Sequence, residues 1–537
     1  MTMAGSLTGL SCAAAALFAF LTYRFLFWPA FFSPLARIPN AHWSSPFSRF
    51  WILRIRFSHR ENKTLYAAHR RLGPVVRVGP NELSIDDVAS VRTVYQGGFE
   101  KTSWYSVFDN YGAVCMFSAR PSAEHSARKR LISHVYSKSY IQSSPAASAQ
   151  SHAILSERLL PIIDKSTQDT QLPHGLDIYS VFMAATMDFI AGYIFGLKGG
   201  TNFLGDKAYR EHFLELYRAR NGYGYYDQEM PQLTKICRKL GIPFCPKWVD
   251  AANKELGEWC LRLCDQKSDS PATAKIDLND DLRDEPVVWQ SLVGGLQKDE
   301  ATKGKESLLY SAVSNFRLSV ASELFDHVLA GQETAGLALT YLTWRLSQSL
   351  ELQEKLRTEL LGLTPSLRQH PDRAIDIPDS KQLDSLPLLH AVLTETLRLH
   401  APIPGPQPRQ TPKTGCRLGP YYVPGGVRVA ALAYTLHRDE AAFPNAEKWD
   451  HTRWLPGAAS EDEKKLRNRQ FWAFGSGGRM CIGSNFAMNE MKLMIAAIYS
   501  NYTSHIVDDE GVANQSDGYT SRPANEQLYL RFEKVSI

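Results

Sequence analysis

The sequence predicts a mainly α-helical protein with small β-sheets, an α+β fold in which one large domain follows a single apolar N-terminal segment. Three observations predict it. Apolar residues recur at helical spacing over long stretches, among them 122–140, 178–197 and 315–361, the last long enough for two helices. Strand-like runs are few and short: Gly73 to Asp86, with β-branched residues between Gly-Pro turns, and Tyr421 to Val429. No internal repeat and no second linker divides the remainder, so the 537 residues read as one large domain behind an anchor.

Composition removes several classes. At 44% hydrophobic and 11% aromatic, the chain is too apolar for disorder. With 60 basic and 55 acidic side chains it carries no signature of a nucleic-acid binder. Eight cysteines are too sparse for a disulfide framework.

The N-terminal element comes first. Arg24 is the first charged side chain, and the apolar run before it continues beyond it to Phe32. About twenty apolar residues span a bilayer, and an arginine near the end reaches the headgroups. A buried core helix or a cleaved signal peptide are the alternatives. The uncharged start and the missing polar mature chain speak against the second. Residues 1–33 are therefore read as a membrane anchor. Arg24, Arg37, Arg49, Arg54, Arg56 and Arg60 precede the first acid, Glu61, which places the body on the cytosolic side. Residues 34–50, with Pro34, Pro39 and Pro46, read as a stiff linker, and residues 51–537 as the functional domain.

Within that domain, residues 266–306 are polar and read as an exposed connection. Cys260 and Cys264 lie one helical turn apart, with Cys237 and Cys245 nearby. Their spacing matches no standard zinc pattern, and buried structural thiols are the simpler reading.

The strongest chemical signal is Phe474-Gly475-Ser476-Gly477-Gly478-Arg479-Met480-Cys481-Ile482-Gly483, followed by a helical pattern from Ser484 to Tyr499. A cysteine at a helix N-terminus meets free N–H groups and the positive end of the macrodipole, both of which favour a thiolate. Glycines let those N–H groups approach the sulfur. Such a thiolate can ligate haem iron. An ordinary loop with a buried thiol is the alternative. A phosphate loop lacks its glycine spacing and its lysine.

Two further patterns stand upstream. Glu395-Thr396-Leu397-Arg398 puts an acid and a base on one helix face, where by itself it is a common weak pair. Ala330-Gly331-Gln332-Glu333-Thr334-Ala335 places a glycine in mid-helix, which costs about 1 kcal/mol. The threonine there can bond back to the Ala330 carbonyl and bend the helix. Tolerated small-residue packing is the alternative.

The cysteine segment resembles the F-x-x-G-x-R-x-C-x-G signature of the cytochrome P450 family of haem-thiolate monooxygenases, at Phe474, Gly477, Arg479, Cys481 and Gly483. The other patterns are similar to the family's oxygen motif and E-x-x-R, in the family's order. The resemblance implies the cytochrome P450 fold and haem b, with Cys481 as axial ligand of the iron. It implies that Phe474 shields the sulfur, that Gly475 and Gly483 shape the loop, and that Arg479 binds a haem propionate. Lys129 and His125 stand where the family has W-x-x-x-R, and Arg409 where it often has another propionate-binding arginine. Arg128 is an alternative. Glu395, Arg398 and Arg453 resemble the family's structural triad, with His451-Thr452 in place of Pro-Glu. Thr334 and Glu333 are implied to deliver protons to dioxygen, and Ala335 replaces a hydroxyl.

By the same resemblance, electrons come from NADPH through a reductase, and a lipophilic small molecule is hydroxylated or epoxidised. The setting is the endoplasmic reticulum membrane, with no nucleic acid involved. The style of the sequence is that of a filamentous-fungal enzyme of secondary metabolite biosynthesis. Arg128, Lys129, Arg130, Lys464, Lys465, Arg467 and Arg469 read as a basic face for the reductase, with a solvated charged surface the alternative for 464–469. Segments 104–117, 213–226, 318–332 and 403–405 are implied to line the pocket. Two rivals remain at this point: a haem-thiolate isomerase or dehydratase that uses no dioxygen, and a non-enzymatic membrane haem binder. Retention of Thr334 and Gly331 argues against the first.

Overall fold

The computed structural model describes residues 2–168, 174–242, 244–268, 281–370 and 375–535. It divides into two compact units, residues 1–102 with 405–436, and residues 103–404 with 437–537.

The smaller unit opens with helix α1 (Thr2–Thr22), whose helical turns run on to Phe32. Cys12–Phe32 has a mean hydropathy of 1.5 and none of it is buried, so length and composition both suit a bilayer span. The proline segment that follows packs on the unit. Leu35 and Ile38 are buried, the Ala41 N–H donates to the Arg77 carbonyl at 2.9 Å, and the Arg77 N–H donates to Pro39 at 2.8 Å. The buried Arg77 guanidinium donates to the Pro29 carbonyl at 2.9 Å and to Pro80 at 2.8 Å. Five short strands form the sheet, in the order Val75–Gly79, Glu82–Ile85, Arg428–Ala430, Arg409–Gln410, Glu100–Lys101. The first two make an antiparallel hairpin, as the Gly-Pro punctuation predicts.

The larger unit is helical. Its framework includes α2 (Ser122–Ile132), α3 (Ile178–Phe195), α4 (Lys207–Glu229), α5 (Phe316–Ser347), α6 (Pro387–Leu399) and α7 (Ser484–Asn501). A three-stranded sheet, ordered Leu176–Asp177, Tyr529–Lys534, Tyr502–Asp508, closes its C-terminal side. Helix α3 is as apolar as the N-terminal span, with hydropathy 1.5, yet 94% of it is buried. An all-round apolar helix is the central rod of a large core. Its one acid, Asp188, accepts from the Phe203 N–H and the Thr201 hydroxyl, both at 2.7 Å, and from Arg158 at 3.1 Å. Buried charge is tolerated there because its acceptors are filled.

Helix α5 lies against α3, and the contact explains Gly331. A Cβ at that position would stand 2.6 Å from Ile190 Cγ1. Gly336 meets Met183 in the same way, with 2.9 Å to the sulfur. Glycine here lets two helix backbones approach.

The expectation of an exposed connection over 266–306 is corrected in part. Residues 269–280 lie outside the described residues, but Val287–Lys303 is a helix that buries Val287, Val288, Trp289 and Leu292. Its polar residues gather in the C-terminal half, from Gln297 to Lys303, and the average over the window hid the apolar first half.

Candidate active site

The cysteine loop is a tight hairpin leading into α7. Gly475 and Gly477 sit at φ 70° and 74°, a region that side chains avoid, so both glycines are required by the turn. The Cys481 N–H donates to the Phe474 carbonyl at 2.9 Å and closes the loop. Gly483 caps α7, and the half-buried Phe474 packs on the main core. The Cys481 side chain is accessible to solvent, yet desolvation raises its thiol above the ordinary range. The Gly483 N–H, the Lys129 charge and the Ser484 N–H pull it back without prevailing, and Asp326 adds to the rise. Solvent thus reaches the residue while the surrounding protein still disfavours charge on its sulfur. The helix N-terminus alone thus leaves a thiol, and a metal cation is what converts such a group to thiolate.

Helix α5 presents a stripe to the same region. Most of it is buried, but Ala330 is exposed and Asp326, Gly331 and Thr334 are half-buried. Positions four apart share a helix face, so Asp326, Ala330 and Thr334 form one accessible line. The Thr334 hydroxyl donates to the Ala330 carbonyl at 2.9 Å. The helix runs unbroken from Phe316 to Ser347 with that bond in place.

Glu333 points elsewhere. Its Oε1 accepts from Arg522 Nε at 2.6 Å and from the Thr520 hydroxyl at 2.8 Å, and Oε2 accepts from the Tyr217 hydroxyl at 2.7 Å. Arg522 also pairs with Glu526 at 3.0 Å. The carboxylate therefore ties α5 to α4 and to the loop after residue 508. Tyr217, Thr520 and Arg522 were not singled out from sequence, because partners more than a hundred residues away leave no local pattern.

Glu395 and Arg398 are fully buried and bidentate, with both N–O distances at 2.8 Å. Glu395 also accepts from the Asp450 N–H at 2.8 Å and from Trp454 Nε1 at 2.9 Å. Arg398 donates to the carbonyls of His437 at 2.9 Å, Ala446 at 2.8 Å and Lys448 at 3.1 Å. Arg453 joins less closely, its Nε 3.5 Å from Glu395 Oε1 and its Nη2 bonded to the Asn445 carbonyl at 3.2 Å. His437 links this network to the cysteine loop. Its Nε2 accepts the Trp472 N–H at 2.7 Å, two residues before Phe474.

Among the predicted cations, Arg479 donates to the Ala119 carbonyl at 2.7 Å and to Arg120 at 2.5 Å. Lys129 Nζ donates to the Gly478 carbonyl at 3.0 Å and to Met480 at 3.3 Å, so it sits at the loop. His125 is buried on α2. Arg409 belongs to the smaller unit, where it donates to the Pro408 carbonyl at 2.9 Å and lies 5.0 Å from the Tyr95 ring centre. The basic face is corrected in part. Arg128 is buried against Glu124 and Glu323, and Arg467 is buried against the Ala442 and Arg453 carbonyls. Lys464 and Lys465 pair with Glu461 and Asp462 on their own helix. Cys260 and Cys264 are buried, and no metal-binding cluster of His, Cys, Asp and Glu occurs among the described residues.

Residues 45–529 match the family described as Cytochrome P450. The chain belongs to that family. Cytochrome P450 monooxygenase orf2 of Aspergillus niger is 27% identical over 479 residues, covering 86% of this chain and 84% of the relative. Cytochrome P450 monooxygenase avaI of Aspergillus versicolor is 28% identical, covering 78% and 93% respectively. Cytochrome P450 monooxygenase aflV of Aspergillus parasiticus is 26% identical, covering 88% and 85%. Membership makes the chain a haem-thiolate monooxygenase that uses dioxygen and a redox partner. The residues fit haem on two observations: an accessible but desolvated cysteine faced by two N–H groups, and an accessible line on an otherwise buried helix within electrostatic reach of that sulfur through Asp326.

Proposed function

We propose that this family member is a membrane-anchored monooxygenase that hydroxylates or epoxidises a hydrophobic small molecule in secondary metabolism, with electrons from NADPH delivered by a reductase. In this reading residues 1–33 hold it in the endoplasmic reticulum membrane, 34–50 connect, and 51–537 form the catalytic domain on the cytosolic side. The arginines between Arg24 and Arg60 support that orientation.

Cys481 would hold the haem iron through its sulfur, and the Gly483 and Ser484 N–H groups would steady its charge. Phe474 shields the sulfur, and Gly475 and Gly483 allow the loop its shape. Arg479, Lys129, His125 and Arg409 are assigned to the haem propionates from their motifs, and the position of Arg479 and Lys129 at the loop supports the first two. Bound haem supplies the activation of dioxygen and the transfer of one oxygen atom. Thr334 holds a proton donor on the accessible line of α5. Glu333, filled by three partners, passes a proton once one of these contacts opens. Glu395, Arg398 and Arg453 position the loop and touch no reacting atom.

The observation that carries this reading is the desolvated, accessible sulfur of Cys481. The test is co-expression with a fungal reductase in microsomes supplied with candidate lipophilic substrates. NADPH-dependent products carrying one atom of labelled oxygen from O₂ support it. Products formed without NADPH favour the isomerase or dehydratase. A carbon monoxide complex of the reduced protein without the red-shifted thiolate band overturns Cys481 as ligand.

A further inference from the structure

One cation near α5 has no carboxylate beside it. Arg220, on α4, carries five N–H donors. Its Nη2 donates to Asn110 Oδ1 at 3.2 Å, and its guanidinium lies 5.3 Å from the Phe325 ring centre. Among the described residues no carboxylate oxygen comes within 4.0 Å of its nitrogens. Asn110 is no substitute for a counter-charge. Its Nδ2 donates to the Phe108 carbonyl at 3.2 Å, which fixes the neutral Oδ1 toward Arg220.

The surroundings draw the guanidinium partly out of solvent. Arg220 is half-buried by accessibility, yet desolvation lowers its pKa, and Tyr217, Tyr111 and Asp326 offset that only in part. The same pairing of access with desolvation marks Cys481. Phe325 is followed on α5 by Asp326, whose charge also acts on the Cys481 sulfur. The loop that presents Asn110 is strained: Tyr111 sits at φ 55°, a conformation a bulky residue adopts at a cost. Strained backbone, a pinned amide and a desolvated guanidinium meet at one place.

We propose that Arg220 binds a carboxylate of the substrate. The substrate is then an apolar acid, its acid end held at Arg220 and the carbon to be oxidised turned toward Ala330 and Thr334. A carboxylate takes two parallel N–H bonds from an arginine fork, and in a desolvated site such a pair is strong. This assignment rests on the haem-thiolate reading of Cys481.

The test uses the full-length haem-loaded protein and a series of straight-chain ω-(imidazol-1-yl)alkanoic acids with their methyl esters. The imidazole binds iron and reports by its absorbance shift whatever the tail does. At the chain length that lets the imidazole reach iron and the acid reach Arg220 together, the acid should bind at least tenfold tighter than its ester. Arg220→Met should abolish that preference, and Arg220→Lys should keep part of it. Asn110→Asp, which places a carboxylate against Arg220, should erase it while leaving the arginine in place. Equal affinity of acid and ester at every length, or a preference unchanged in Arg220→Met, overturns the proposal. If no imidazole shifts the spectrum, or the thiolate band is missing, the reading of Cys481 has failed instead.

Discussion

His437 and Arg398 hold each other through two hydrogen bonds. The Arg398 guanidinium donates to the His437 carbonyl at 2.9 Å, and His437 Nδ1 lies 2.7 Å from the Arg398 carbonyl. Because Nε2 accepts the Trp472 N–H, the proton belongs on Nδ1, and the ring is neutral. The buried acid–base pair and the cysteine loop are thereby joined through one imidazole.

Burial, helped by Arg398, lowers the His437 pKa from 6.5 to about 3. A histidine with a depressed folded pKa contributes stability that is complete above pH 6.5 and is lost as pH falls toward about 3. The loss is up to about 1.4 kcal/mol per pH unit. The thiolate band of the reduced carbon monoxide complex should decay over that window. In His437→Phe it should be weak at neutral pH as well, with Trp472 left without its acceptor.

Removing the Glu395 charge leaves a fully buried guanidinium without its carboxylate. Breaking such a pair from one side costs about 3–5 kcal/mol. Glu395→Gln should lower the free energy of unfolding by that margin, seen as a lower urea midpoint, and reduce the yield of haem-loaded protein. Arg398→Lys should do the same, because an ammonium cannot bond three carbonyls and a carboxylate in one plane.

Gly331→Ala tests whether the mid-helix glycine serves packing. The added methyl meets Ile190 Cγ1 at 2.6 Å and should destabilise by about 1–3 kcal/mol. In an Ile190→Ala background the same methyl should cost much less. A double-mutant cycle with no coupling would assign the glycine to something other than the α3 contact.

Glu490 is buried on α7 with neither carboxylate oxygen hydrogen-bonded, and burial holds its pKa well above 4.5. A raised carboxyl pKa gives stability that is complete below the unfolded value and lost as pH rises through the folded one. Between pH 5 and 8 the wild-type chain should lose stability relative to Glu490→Gln, by up to about 1.4 kcal/mol per unit. Paired urea titrations across that range measure the slope.

Much of the helical framework was legible because periodicity is local. Ile178–Phe195 and Phe316–Ser347 stand where the apolar spacing put them. The cysteine loop was legible because its chemistry is written in ten consecutive residues. What escaped was whatever depends on distant partners. Glu333 carries a motif, but its engagement with Tyr217, Thr520 and Arg522 is set by how α4 and the late loop fold back. His437 matches no pattern until Trp472 is placed beside it. Arg128 and Arg467 looked like surface charge because sequence records charge and not burial.

The joint at Glu333 bears on how this pocket can change over time. Three elements converge on one carboxylate, so the helix, its neighbour and the late loop share a single fastening. A mutation that reshapes the loop around Arg522 also alters the seat of Tyr217. Variation in substrate scope is thus expected to proceed through paired substitutions across these elements, and single ones at the joint should be rare among functional descendants.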